Sequence, residues 1–283
     1  MNDCYPDLMC HLAPSPSIST HHGATGCHGF SLLELTVSMV LIGVLLGFGL
    51  SFVTSEEREN NIAFTQERLA EIEEAIRRFV RLENRLPCPA DPQAAENSGD
   101  FGVEDDCSAA APTAGAIIEM NNGSTDETWA GVLPVRTLGL PDRYMTDAWS
   151  HRLTYITPRR FAATGVDLVN TNAENTATMI RIQEKTQSQT INPMASINNP
   201  VMYLVISHGP DKRGAYSLRG TISVDCADAD IQLDAENCDF LNPGDEDVVF
   251  IDDAITSSRV NAQYFHDMLL WKTKVTLGAV HIN

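Results

Sequence analysis

Twenty-one consecutive residues, Leu35 to Ser55, carry no charged side chain. At about 1.5 Å of rise per residue, a helix of that length spans roughly 31 Å, the thickness of the hydrocarbon core of a bilayer. The segment predicts a membrane-spanning helix and argues against a purely cytosolic protein. It is longer than the apolar run of a secretory signal, about 7 to 15 residues, and no small-x-small cleavage site follows it, so it is expected to stay with the mature chain. The rest of the 283 residues contrast with it, because 38 Asp and Glu against 19 Lys and Arg leave a net charge of -19. Such an acidic chain repels phosphate, which excludes nucleic acid as a nonspecific partner. With 43% hydrophobic residues there is material for one large or two small globular domains.

The amino-terminal edge of the uncharged stretch reads G-F-S-L-L-E-L-T-V-S-M-V-L-I-G-V, Gly29 to Val44, with Glu34 among apolar neighbours. An ionised carboxylate near hydrocarbon costs at least ~2.5 kcal/mol, so Glu34 needs a partner. Gly29 followed by Phe30, a Glu as the fifth residue after that Gly and then an apolar run together resemble the processing and methylation motif of type IV prepilins and type II secretion pseudopilins. The resemblance implies that residues 1–29 are a leader, that a membrane-embedded prepilin peptidase cuts between Gly29 and Phe30, and that the new amino terminus is methylated. It also implies that Glu34 meets the Phe30 amine of a neighbouring subunit, a pairing in which each charge relieves the other's burial. The leader departs from the family habit, since it carries Asp3 and Asp7 but no Lys or Arg, and a start at Met9 would shorten it. Ser51 stands where many pilins have Pro, which is closer to pseudopilins. His21, His22, Cys27 and His28 have metal-like spacing, but in a segment expected to be discarded.

Beyond Ser55, Ile62, Leu69, Ile72, Ile76, Phe79 and Leu86 keep a helical period, and Glu73 to Arg77 and Glu74 to Arg78 are favourable i,i+4 pairs. Pro87 and Pro89 predict the end at Leu86, giving a membrane helix over 30–55 continued by an amphipathic helix over 56–86. The remainder, 87–283, starts as a loop rich in Ala, Asp, Gly and Asn to about Asp126. Strands are then expected at Leu153–Thr157, Thr178–Gln183, Val201–Ser207, Thr221–Val224 and Asp247–Asp252, with Val275–Ile282 closing the sheet, and a second helix at Ala254–Trp271. The fold class is α+β: a long amino-terminal helix laid on a carboxyl-terminal antiparallel sheet, pilin-like. The segments R-L-P-C-P-A-D (Arg85–Asp91), L-P-V-R-T-L-G-L-P (Leu133–Pro141), D-A-W-S-H-R-L-T-Y (Asp147–Tyr155) and V-I-S-H-G-P (Val205–Pro210) also look like an arrangement found in pseudopilin-like proteins, with Ser150 where Gly is common. Trp149 and Tyr155 are expected to fill the space between helix and sheet.

Cys4, Cys10 and Cys27 fall in the leader, which leaves Cys88, Cys107, Cys226 and Cys238. With the body outside the cytoplasm, as the resemblance implies, sequential bridges Cys88–Cys107 and Cys226–Cys238 would close loops of about 20 and 13 residues, each contributing up to ~3 kcal/mol. Metal binding by these four is the weaker alternative, because no C-x-x-C pair occurs. The acids Asp228, Asp230, Asp234 and Glu236 fail the EF-hand pattern, with Leu233 where Gly is needed. Major pseudopilins carry calcium in a carboxyl-terminal loop, and the counterparts here are Asp211, Asp245, Asp247, Asp252 and Asp253, although Lys212 and Arg213 sit where further oxygen ligands belong. No G-x-S-x-G, H-E-x-x-H, phosphate loop or G-x-G-x-x-G is present, and Ser207 and His208, as strand neighbours, point to opposite faces.

Taken with the resemblance, these features predict a structural protein rather than an enzyme. It would be a single-pass inner-membrane prepilin with its body in the periplasm, methylated and assembled into a type II secretion pseudopilus or type IV pilus. Implied partners are prepilin peptidase, other pilin or pseudopilin subunits, assembly platform proteins and the inner membrane. The alternatives are a membrane-anchored periplasmic binding or enzymatic module and a minor tip or adhesin pilin.

Overall fold

A computed structural model describes residues 31–121, 127–175, 178–183, 196–224, 226, 235–242, 248–256 and 265–278, with the side chains of 46–55 left aside. The chain divides into two compact units, Met1–Thr54 and Ser55–Asn283. Helix α1, Leu32–Glu83, contributes residues to both. It ends three residues before the expected Leu86, because Asn84 takes the left-handed conformation (φ 54°) that closes helices, donating its N–H to the Val80 carbonyl at 2.9 Å. Pro87 therefore follows the stop rather than causing it.

In the first unit, every described side chain from Ser31 to Leu45 is exposed. Among the described residues no helix is long and apolar enough to cross a membrane. The second half of the uncharged stretch, 46–55, lies outside the described side chains.

The second unit is built on strands β1 (Ile118–Met120), β2 (Thr128–Val132), β3 (His151–Arg152), β4 (Thr154–Pro158), β5 (Arg181–Gln183), β6 (Val201–Ser207), β7 (Tyr216–Ser217), β8 (Val249–Ile251) and β9 (Met268–Thr273), with short helices α2 (Arg159–Ala162) and α3 (Lys274–Leu277). Five strands form one sheet in the order β1-β2-β4-β6-β9, each antiparallel to its neighbours, while β3 pairs with β7 and β5 runs parallel to β8. The fold is therefore a mixture of helix and antiparallel sheet.

Strands β2, β4 and β6 are buried at every position, so the sheet is covered on both faces. On one side Trp129, Tyr155, Tyr203 and Val205 join Leu69, Ile72, Ala75 and Ile76 of α1, with Trp149 packed at the edge. On the other, Ala130, Ile156, Leu204 and Ile206 join Ile180, Ile182, Phe240 and Phe250. Polar ties flank the helix: Glu73 meets Arg77 at 2.8 Å and Lys272 of β9 at 3.1 Å, and Arg77 donates to the carbonyls of Thr276 (2.8 Å) and Leu277 (3.1 Å) at the end of α3. Glu74 pairs with Arg81 at 2.9 Å, one turn beyond the expected Arg78.

Several sequence expectations are corrected. The stretch Val275–Ile282, expected to close the sheet, is not a strand over its described part, 275–278: Thr273 and Thr276 form a reciprocal capping box and Gly278 (φ 82°) ends α3, so the chain turns helical there, while 279–282 lie outside the described residues. The strand at that edge of the sheet is β9, which overlaps the region read as the helix Ala254–Trp271 over Met268–Trp271; residues 254–256 are not helical either, and 257–264 lie outside the described residues. Thr221–Val224 makes only isolated bridges through Ile222 and Val224. The stretch read as loop to Asp126 contains β1, and β2 follows it. Glycine at position 131 hid β2: a Cβ there would sit 2.5 Å from the Ala90 carbonyl oxygen, so the strand needs a residue that weakens its sequence signal.

Candidate functional site

The segment that the sequence singles out begins where the described residues begin. Gly29 and Phe30 lie outside them. Ser31 caps α1: its hydroxyl accepts the Glu34 N–H at 3.3 Å, and its carbonyl accepts the Leu35 N–H at 3.1 Å. Glu34 stands in the first turn, where a carboxylate faces the positive end of the helix dipole. S-L-L-E, Ser31 to Glu34, has the spacing of a capping box, a local signal of where the helix begins. Around Glu34 the helix is bare. Exposure of the large apolar residues runs from 49% at Val44 to 81% at Leu32, and includes Leu33, Leu35, Met39, Leu41 and Leu45. A contiguous apolar surface of this extent is unstable in water and marks an interaction site.

The prokaryotic N-terminal methylation motif matches residues 25–50, which encloses Gly29, Phe30, Ser31 and Glu34. The chain carries the type IV prepilin and pseudopilin signature. The motif supports a type IV pilin-like or pseudopilin precursor, and it implies processing by prepilin peptidase and assembly with other pilin subunits. The motif indicates a structural pilin-type protein. No curated protein and no solved structure matches the chain.

In this prepilin-type chain the four cysteines outside 1–29 are joined as Cys88–Cys107 and Cys226–Cys238, with Cα atoms 5.7 and 6.0 Å apart. The acids proposed for calcium are dispersed in their attachments. Asp211 ends a 3-10 turn, Gly209–Asp211, and accepts the Arg213 N–H at 3.3 Å. Asp252 accepts the Trp271 indole N–H at 2.8 Å, and burial pushes its carboxyl up, toward the neutral form that a cation does not need. Asp253 accepts the Ala254 N–H at 2.6 Å. Asp245 and Asp247, like the leader residues His21, His22, Cys27 and His28, lie outside the described residues. Among the described residues no three His, Cys, Asp or Glu are grouped to hold a metal.

A buried polar cluster joins two of the segments noted for their pseudopilin-like pattern. Asp147 gathers the turn before β3, its Oδ1 accepting the N–H groups of Trp149 and His151 at 2.9 Å each, and its Oδ2 accepting the Ser207 hydroxyl at 2.8 Å. Ser150 in that turn has φ 65°, the conformation that explains glycine at this position. His208 turns away from Ser207, with Nε2 2.9 Å from the Thr154 hydroxyl. Ser207 and His208 therefore serve different partners and form no nucleophile–base pair. Burial raises the Asp147 carboxyl and lowers the His151 imidazole, and burial followed by the charge of His151 lowers His208 to about 3. The same turn grips α1: the Ala148 N–H donates to the Thr65 hydroxyl at 3.2 Å, Arg68 donates to the Thr146 carbonyl, and the Tyr144 hydroxyl donates to Glu71.

Proposed function

We propose that this chain is a filament subunit of a type II secretion pseudopilus or type IV pilus. Prepilin peptidase removes 1–29 and methylates Phe30, residues 30–55 hold the subunit in the inner membrane, and 56–86 continue the span into a periplasmic body, 87–283. Assembly platform proteins then move the subunit into a helical filament, where Glu34 pairs with the Phe30 amine of the next copy. The observation that carries this reading is the bare apolar surface of 31–45 with one carboxylate held in the first helical turn. A lone body in water has no use for such a surface. A bilayer covers it before assembly and neighbouring copies cover it afterwards, and only one axial offset brings carboxylate and amine together. The size of the body favours a minor or accessory subunit over a major one.

The experiment is intact mass of membrane-extracted protein together with cross-linking into filaments. A mature chain beginning at methylated Phe30 is expected, and Glu34→Ala is expected to be cleaved and inserted but absent from filaments. A chain retaining His21 to Gly29, or Glu34→Ala incorporated as efficiently as the parent, overturns the reading and favours an anchored periplasmic module.

A further inference from the structure

We propose that His208 is an acid-sensitive latch on the grip between the 144–151 turn and helix α1. Its imidazole is fully buried, with Nε2 satisfied by the Thr154 hydroxyl of β4 and Nδ1 left without a hydrogen-bond partner. The ring is thus accommodated as a neutral group. A proton on Nδ1 would find its nearest carboxylate oxygen, Asp267 Oδ2, 3.9 Å away, and that oxygen already accepts the Asn237 amide at 2.9 Å. From β3, His151 adds a second imidazole whose charge opposes protonation of the first, and a third, His266, is buried just before β9 with its backbone against Gly209, the residue after His208. His151 itself is faced by Asp147 at 3.9 Å and by the charges of Asp211 and Lys212. No cation can enter this cluster without either moving Asp267 or admitting water.

The route from His208 to the helix is short. Ser207, its chain neighbour, donates to Asp147, Asp147 ties the turn, and the turn reaches Thr65, Arg68 and Glu71 of α1 through Ala148, Thr146 and Tyr144. Opening the cluster releases a joint between residues far apart in the chain. Because the closed form holds His208 neutral down to about 3, the closed state is fully favoured above the ordinary imidazole value near 6.5 and loses ground as the pH falls below it. The opening constant should rise about tenfold for each pH unit below 6.5, reaching about thirtyfold at pH 5. Asp147 acts with the opposite sign, since its raised carboxyl favours the closed form at low pH, and the lowered imidazole of His151 acts with the same sign as His208, so about thirtyfold is the share of His208 alone.

Hydrogen exchange of the full chain in detergent tests this. Rates are corrected for the intrinsic pH dependence of exchange and followed from pH 7.5 to 5. Amides of 144–151 should lose protection by ten- to thirtyfold, while those of β2 and β4 hold. His208→Gln, whose side-chain amide can still donate to Thr154, should remove the His208 share and leave a markedly shallower profile set by Asp147 and His151. Wild-type protection that does not change with pH, or an unchanged fall in His208→Gln, overturns the proposal. Should the variant not fold, ring NMR of the parent decides: a neutral His208 ring throughout this range in the closed form is required, and titration near 6.5 through an Asp267 ion pair refutes the latch.

Discussion

Two stretches of one helix face opposite demands. Over 31–45 the large apolar side chains of α1 are all exposed, whereas over 69–76 Leu69, Ile72, Ala75 and Ile76 are buried against the sheet. The second stretch has a polar side, with Glu73, Arg77 and Arg81 tied in ion pairs, and the first has Glu34 alone. The lesson concerns what each stretch must be dissolved in. The body supplies its own cover for one apolar stripe, and the other, apolar all round, fits a medium that is apolar all round.

Matched substitutions test this difference most severely. Ile72→Ala or Ile76→Ala should lower the stability of the body by about 2–5 kcal/mol in denaturant titration, since each leaves a cavity under the sheet. Ile42→Ala should leave that midpoint unchanged, and equal losses from both would dissolve the distinction. Replacing Cys88 and Cys107 together by Ala should cost about 2–4 kcal/mol, read the same way, because the bridge holds the chain just after α1 ends. Arg77→Ala should cost about 1 kcal/mol, a modest figure because its ion pair with Glu73 is partly exposed to solvent. The smallest effect has the opposite sign. Ser150→Gly should raise the thermal midpoint slightly, by about 0.5 kcal/mol equivalent, as relief of the left-handed backbone is set against the greater freedom of the unfolded chain.

What could be read from the sequence depended on whether the signal was local. Val201–Ser207 was legible because a strand buried on both faces is a continuous apolar run. The period of α1 was legible through Ile72 and Ile76, but its end was not, since Asn84 closes the helix ahead of a more conspicuous Pro87. Strand β9 is hidden in the sequence because Met268 falls in helical step with Ile255, Val260 and Tyr264, a coincidence of spacing that pairing with β6 overrides. At the amino terminus, Glu34 stood out because its cost in an apolar setting is a property of one position. The cluster of Asp147, Ser207, His208 and Asp267 gave no such sign. Its members lie up to 120 positions apart, and each is an ordinary residue until the fold brings them together.

The tie between Arg77 and the carbonyls of Thr276 and Leu277 links positions 199 and 200 residues apart. Strand β9, which leads into α3, is also the outermost strand beside β6. The body therefore cannot close around its helix until residues 268–277 have been made, because β9 and the turn after it complete the cover that α1 needs. Contacts of such long range form slowly, and the apolar stripe of 62–79 stays unshielded while they wait. For this chain, the interval between synthesis and folding is when shelter from aggregation matters most.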